Sequence, residues 1–152
     1  GECGLDFHYD WSPRDVQAQV FRQHVEAARR TGLPLVVHTR EADEVMGAIL
    51  GEEHAAGPLR LLMHCYTSGP ELARLCADLG GFFSVSGIAT FRAAEEVRAV
   101  IRDIPEDRII VENDCPYLAP GWTATEAATI PQLRPRAALA GIRTPEPSQA
   151  AP

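Results

Sequence analysis

Apolar positions along this chain switch repeatedly between helical spacing and short unbroken runs. Ser12-Pro13-Arg14-Asp15 supplies a cap, a first-turn proline and an early acid, and Val16, Val20, Phe21, Val25 and Ala28 follow at helical spacing up to Gly32. Leu33 to His38 is a short apolar run closed by a polar residue, which predicts a strand. A second helical pattern follows on Val45, Ile49 and Leu50. The cycle repeats: a strand over Leu59 to His64, a helix over Pro70 to Leu79 stopped by Gly80-Gly81, a strand over Phe82 to Ser86, a helix over Ala93 to Ile104, and a strand over Arg108 to Glu112. The opening Gly1-Glu2-Cys3-Gly4-Leu5-Asp6 reads as a compact Gly-rich turn of the kind that follows a strand, and with no initiator Met it raises the expectation of a truncated N-terminus.

Strand ends then fall near Glu2, His38, His64, Ser86 and Glu112 to Asp114, at intervals of 36, 26, 22 and about 27 residues, which suits successive βα units of a parallel sheet. The fold class expected is α/β. Parallel strands present their C-terminal ends on one face, as in barrel enzymes, so the polar residues that close the apolar runs are expected to converge there. Beyond Gly121 the texture changes: residues 121–152 hold five of the twelve prolines and eight alanines without sustained periodicity, and the expectation is an irregular tail after an organised unit over residues 1–120.

Composition narrows the function. The 152 residues are 45% hydrophobic and 23% charged, ordinary for a globular protein with a real core. Fourteen basic against twenty-one acidic residues give a formal charge of -7, which argues against coating of nucleic acid or an anionic membrane by a broad basic face. All fourteen basic residues are Arg, so chemistry that needs a Schiff-base, P-loop or carboxylated Lys is excluded from this stretch. Cys3, Cys65, Cys76 and Cys115 form no CxxC pair, and no apolar run approaches the roughly 20 residues of a membrane span. A reducing, cytoplasmic setting without membrane attachment is the expectation.

The residues that close the strands, Glu2, His38, His64 and Asp114, are two carboxylates and two imidazoles from four separate strands, a donor set suited to Zn, Mn or Mg. A carboxylate able to bridge is what a two-metal hydrolytic centre needs to hold ions about 3.5–4 Å apart. His24, on a helix face, and His54, beside Glu52 and Glu53, read as structural or solvated. Asp6 and His8, in the loop after Glu2, are placed either to orient ligands or, as preferred for Asp6, to bond a turn of their own. Cys3, Cys65 and Cys115 each follow a candidate ligand directly. Because a strand reverses its face at every step, they are expected to point away into packing.

Four segments carry a family resemblance: Gly1-Glu2-Cys3-Gly4-Leu5-Asp6-Phe7-His8-Tyr9-Asp10, Val37-His38-Thr39-Arg40-Glu41-Ala42, Met63-His64-Cys65-Tyr66 and Val111 to Pro120 resemble, in order, the TatD-type metal-dependent deoxyribonucleases. The resemblance covers residues 1–120 and implies a partial (β/α)8 TIM barrel, strands four to eight. On that template Glu2 matches the carboxylate that bridges two divalent cations, His38 and His64 match ligands of one, and Asp114 matches the carboxylate of the other, which also orients the attacking water. Glu2 and Asp114 are thus the catalytic candidates. The implied reaction is phosphodiester hydrolysis, with DNA, most directly its single-stranded ends, as substrate in a 3'-5' exonuclease-like manner. Arg40 is positioned to pair with a phosphate oxygen; a rim salt bridge with Glu41 or Asp43 is the competing reading.

Three departures stand out. The family's first-strand His-x-His pair has no counterpart, Glu112-Asn113-Asp114 replaces Glu-Thr-Asp, and the family's Arg-Gly-Lys-x-Asn-Glu-Pro stretch does not follow Pro120. Two other functions stay open at this point: a related barrel amidohydrolase acting on a small amide or lactone, and an inactive fragment. Many such amidohydrolases bridge their metals with a carboxylated Lys, and the absence of Lys counts against the first.

Overall fold

A computed structural model describes residues 1–112. Its elements run β1 (Cys3–Asp6), α1 (Arg14–Thr31), β2 (Leu35–Arg40), α2 (Asp43–Ala56), β3 (Leu61–Met63), α3 (Pro70–Asp78), β4 (Phe82–Val85), α4 (Glu95–Asp103) and β5 (Ile109–Val111). All four strand pairings are parallel and the order across the sheet is β1-β2-β3-β4-β5. The fold is the expected α/β one, an arc of a TIM barrel. Right-handed crossovers in a sheet of sequential order lay every helix on the same face. Burial agrees: Leu5, Val37, Met63, Phe83 and Ile109 are enclosed against Phe21 and Val25 of α1, Met46 and Leu50 of α2, Leu72 and Cys76 of α3 and Ile101 of α4. The positions between them in β1 to β3, Gly4, Val36, His38 and Leu62 among them, stay half-exposed on the opposite face, while Ser84 of β4 is buried.

Local sequence accounts for the element boundaries. Gly32 ends α1 in the left-handed conformation at φ 68°, which costs glycine nothing. Pro34 lacks an N–H for the ladder, so β2 begins at Leu35, two residues later than the apolar run predicts, and His38 lies inside the strand rather than at its end. The expected helix over Ala93 to Ile104 is shorter. A 3-10 turn at Gly87–Thr90 and a loop precede α4, and the Arg98 guanidinium holds that loop by donating to the carbonyls of Ala89, Phe91 and Arg92 at 3.0, 2.7 and 3.2 Å.

The opening segment corrects the sequence reading. Residues Cys3–Asp6 are a strand, and Glu2 precedes it instead of closing one. Gly4 is the reason the period was hidden. A side chain there would place its Cβ 1.8 Å from the His38 carbonyl oxygen of β2, so the position demands glycine for close approach rather than for a turn. Residues 121–152, expected to form an irregular tail, lie outside the described residues, as do Asp114 and Cys115.

Candidate functional site

Parallel register sets the geometry. Gly4 pairs with His38 and Val37 with Met63, and the ladder continues one step through the His64 N–H to the Val37 carbonyl at 2.8 Å. His38 and His64 therefore stand on adjacent strands at one level. Together with Glu2 and Arg40 they line a cavity of ≈ 340 Å³. Three of the four residues expected to converge do so; the fourth, Asp114, lies outside the described residues.

The His64 imidazole sits between two carboxylates. Its Nε2 is 3.0 Å from Oε2 of Glu2, and its Nδ1 is 2.9 Å from Oε2 of Glu112. Glu112 is fixed in turn: its N–H donates to the Val85 carbonyl at 3.1 Å and its Oε1 accepts the Cys65 N–H at 2.7 Å. A neutral imidazole carries one N–H and can satisfy only one of two carboxylates. With Nδ1–H donated to Glu112, the lone pair on Nε2 faces Glu2, and that gap calls for a proton or a cation. Two ligands about 2.1 Å from one ion lie about 3.0–3.4 Å apart at octahedral to tetrahedral angles, which is the spacing Glu2 and His64 already have.

His38 is paired differently. Its Nε2 lies 3.4 Å from Oδ2 of Asp6. Asp6 also caps its own turn: Oδ1 accepts the N–H groups of His8 and Tyr9, each at 3.0 Å, so the preferred turn reading holds and the contact with His38 is added to it. Burial acts to raise the Asp6 pKa, but the Tyr9 and His8 amides and His38 outweigh it and hold the carboxyl below its ordinary value. Gln17 of α1 locks the loop by accepting the Asp6 N–H at 2.8 Å and donating to the carbonyls of Asp6 and Ser12 at 3.1 and 2.9 Å. His8 pairs through Nδ1 with Glu41 at 2.6 Å.

Among the described residues no three His, Cys, Asp or Glu side chains gather around one point for an ion. The donors come as two pairs, Glu2 with His64 and Asp6 with His38, each needing further ligands. Their chemistry, imidazole nitrogen with carboxylate oxygen, fits a divalent cation.

Other expectations divide. His24 stands on an exposed helix face with Nδ1 2.9 Å from the Val20 carbonyl, and His54 lies in the last turn of α2; neither enters the site. Cys3 packs against the core, and burial, with Glu2 beside it, pushes its thiol up to about 11. Cys65 does not point away: it lines the same cavity, with Sγ 2.9 Å from the Ser86 hydroxyl. The alternation rule ends with the strand, because β3 stops at Met63 and Cys65 turns left-handed at φ 43°. Asp10 (φ 49°) and Glu41 (φ 53°) share that conformation in the segments after β1 and β2, so side chains on this rim are aimed by strained backbone.

The rim salt bridge considered for Arg40 does not form. Glu41 faces His8, Asp43 accepts the Gly69 N–H at 2.8 Å, and among the described residues the Arg40 guanidinium has no carboxylate partner. It lies instead over the Tyr9 ring, 4.9 Å from its centroid, and lines both the histidine cavity and an adjoining one of ≈ 490 Å³. Glu112 was not singled out by sequence. Glu112 follows the last residue of β5, and its partner His64 is 48 positions away, so no local pattern marks it.

Comparison with known proteins agrees with this architecture. Residues 1–146 match the family described as TatD related DNase. The chain is 42% identical over 120 residues to the uncharacterized metal-dependent hydrolase YabD of Bacillus subtilis, covering 79% of this chain and 47% of that one. It is 31% identical over 121 residues to the 3'-5' ssDNA/RNA exonuclease TatD of Salmonella typhimurium, covering 79% and 46%. The crystal structure of YJJV, a TatD homolog from Escherichia coli, superposes with a TM-score of 0.72 at 23% identity over 96% of this chain and 56% of that one, a likeness of fold. The chain spans about half the length of the curated relatives it matches.

Proposed function

From the premise that this chain belongs to the TatD family of metal-dependent hydrolases, we propose that it is the phosphodiester-cleaving part of a nuclease that acts on single-stranded DNA ends through two divalent cations. The observation that carries the reading is the His64 imidazole held between Glu2 and Glu112 in a cavity shared with His38 and Arg40.

In this reading Glu2 and His64 hold one cation, with Glu2 reaching toward a second. His38 would supply a further imidazole donor and Asp114 a further carboxylate. Bound there, the cations supply an acidified water and offset the charge of the phosphate. Glu112 fixes the His64 ring and its tautomer, so that Nε2 is the free donor. Asp6 steadies the His38 ring. Arg40, with no carboxylate partner among the described residues, offers its guanidinium to a phosphate oxygen. Asp114 orients the water for attack. The relative of Salmonella typhimurium that is named a 3'-5' ssDNA/RNA exonuclease supports nucleic acid as the substrate.

The test is calorimetric binding of Mn, Mg and Zn to the chain and to its His64→Ala and Asp114→Asn variants, followed by digestion of a 5'-labelled single-stranded oligonucleotide with each ion. Cation binding lost in His64→Ala, and metal-dependent shortening from the 3' end that Asp114→Asn abolishes, are expected. Equal cation affinity in the parent and His64→Ala chains refutes the proposal.

A further inference from the structure

The loop between β1 and α1 presents an aromatic stack that no core packing among the described residues explains. The Tyr9 and Trp11 rings lie with centroids 6.1 Å apart and planes inclined by 28°, yet Tyr9 is 54% and Trp11 87% exposed. The loop that carries them is held firmly. Asp6 accepts two of its amides, Gln17 ties it to α1, and Arg14 donates to both oxygens of Asp10 at 2.9 and 2.8 Å and to the Phe7 carbonyl at 3.2 Å. An ordered aromatic pair left in water is surface kept for a ligand, since burial elsewhere would have been favourable.

Its surroundings state what kind of ligand. Arg40 lies over the Tyr9 ring and lines the cavity of Glu2, His38 and His64, so one side chain joins the stack to the site. Nearby acids are already engaged: Asp10 by Arg14, Asp6 by backbone amides and His38, and Glu41 by His8. A flat ring platform continuous with a guanidinium suits a ligand that alternates aromatic rings with anionic groups. Neither an apolar peptide nor a lipid has that alternation; single-stranded nucleic acid does.

We propose that Tyr9 and Trp11 form a stacking site for a base of single-stranded nucleic acid, with the adjoining phosphate held by Arg40. This rests on the nuclease reading above and adds to it where the strand lies: the base caps the Trp11 ring while the chain enters the cavity past Arg40. Recognition is by ring stacking, so the site accepts any base and requires that the base be unpaired.

The test uses the chain with Trp122→Phe, which leaves Trp11 as the one tryptophan, in EDTA at low salt so that no cation contributes. It is titrated with an octamer of thymidylate and with an octamer of the same phosphate count whose bases are removed. Quenching of Trp11 emission by the thymidylate octamer alone, with about 5- to 100-fold tighter binding than the abasic one, is expected. Trp11→Ala, at so exposed a position, folds normally and lowers thymidylate affinity to the abasic level, followed by anisotropy of a labelled octamer; Trp11→Phe restores most of it. Equal affinity for the two octamers, or emission that does not move, overturns the proposal. Hydrolysis of methyl p-nitrophenyl phosphate with Mn, which offers no base, is measured alongside. Quenching without hydrolysis leaves the stacking site and removes the phosphodiesterase reading; hydrolysis without quenching removes the stacking site alone.

Discussion

Substituting Gly4 by Ala should separate the first strand from the second and take half of the site with it. The added methyl carbon would lie 1.8 Å from the His38 carbonyl oxygen and 2.7 and 2.9 Å from its carbon and nitrogen, all rigid backbone. Non-bonded carbon contacts are comfortable at about 3.5 Å, so β1 must retreat by well over 1 Å. Hydrogen bonds of about 2.9 Å, such as that from the Phe7 N–H to the Arg40 carbonyl, stretch beyond their useful range. Two or three lost ladder bonds at about 1 kcal/mol each, plus partial exposure of the fully buried Leu5, put the cost above about 3 kcal/mol. Glu2 and Asp6 move with the strand, so both carboxylate–histidine pairs open and cation affinity falls with stability. Urea unfolding followed by circular dichroism, amide exchange of residues 3–6 and cation calorimetry measure the three effects. Gly51→Ala is the control: apart from its chain neighbours and the backbone of α2, nothing among the described residues lies within 4 Å of its new methyl, and helix propensity should raise stability by about 1 kcal/mol. If Gly4→Ala unfolds within about 0.5 kcal/mol of the parent with unchanged exchange in β1, the close-approach argument is wrong.

Glu112→Gln keeps the side-chain shape and loses the anion that holds the His64 Nδ1–H, so cation affinity should fall about 10- to 100-fold by calorimetry while the melting temperature moves little. Thr39→Val removes a buried hydroxyl that has no hydrogen-bond partner among the described residues and should stabilise the chain by about 1 kcal/mol in urea titration. Glu53 joins Arg22 and Arg29 of α1 to α2 at 3.0 and 3.2 Å; burial opposes its ionisation, but the two guanidinium groups outweigh it and hold its pKa below 4.5. The stability it adds is therefore complete above that value and lost as pH falls through the lower folded value. Glu53→Gln should cost about 1 kcal/mol at pH 7, with the difference from the parent shrinking in acid unfolding curves as pH falls below 4.5 and through the lower folded value.

Much of the arc was legible because neighbouring βα units are written in local signals. Gly32 and Gly80-Gly81 mark helix ends, and unbroken apolar runs mark strands buried on their helix side. The candidate site was legible as far as register alone decides it: His38 and His64 share a level because their strands are adjacent and parallel. What escaped depends on contacts distant in sequence. Glu112 meets His64 across 48 residues, and nothing in its own neighbourhood announces that. Cys65 defeated the face rule because the backbone had already left the strand. Gly4 hid a strand because its purpose, room for a carbonyl of β2, belongs to another element. The contact of Arg40 with Tyr9 escaped for the same reason: Glu41 and Asp43, the salt-bridge partners of the competing reading, are near in sequence, while Tyr9 lies in the loop of the preceding unit.

The sequential strand order also bears on how the chain acquires its shape. Register partners on the helix-packed face, Cys3 with Val37, Val37 with Met63, Met63 with Phe83 and Phe83 with Ile109, are separated by 34, 26, 20 and 26 positions. Closing the longest of these loops costs only about 0.5 kcal/mol more than closing the shortest. No single pairing is set apart as the late or difficult one. Each strand after β1 can pair with the strand that precedes it in sequence, so the arc can grow one βα unit at a time, the edge of the newest strand advancing while that of β1 stays in place. Assembly of this kind makes the edge of the newest strand the vulnerable point at every stage, and it makes the two histidines neighbours as soon as the third strand is in place.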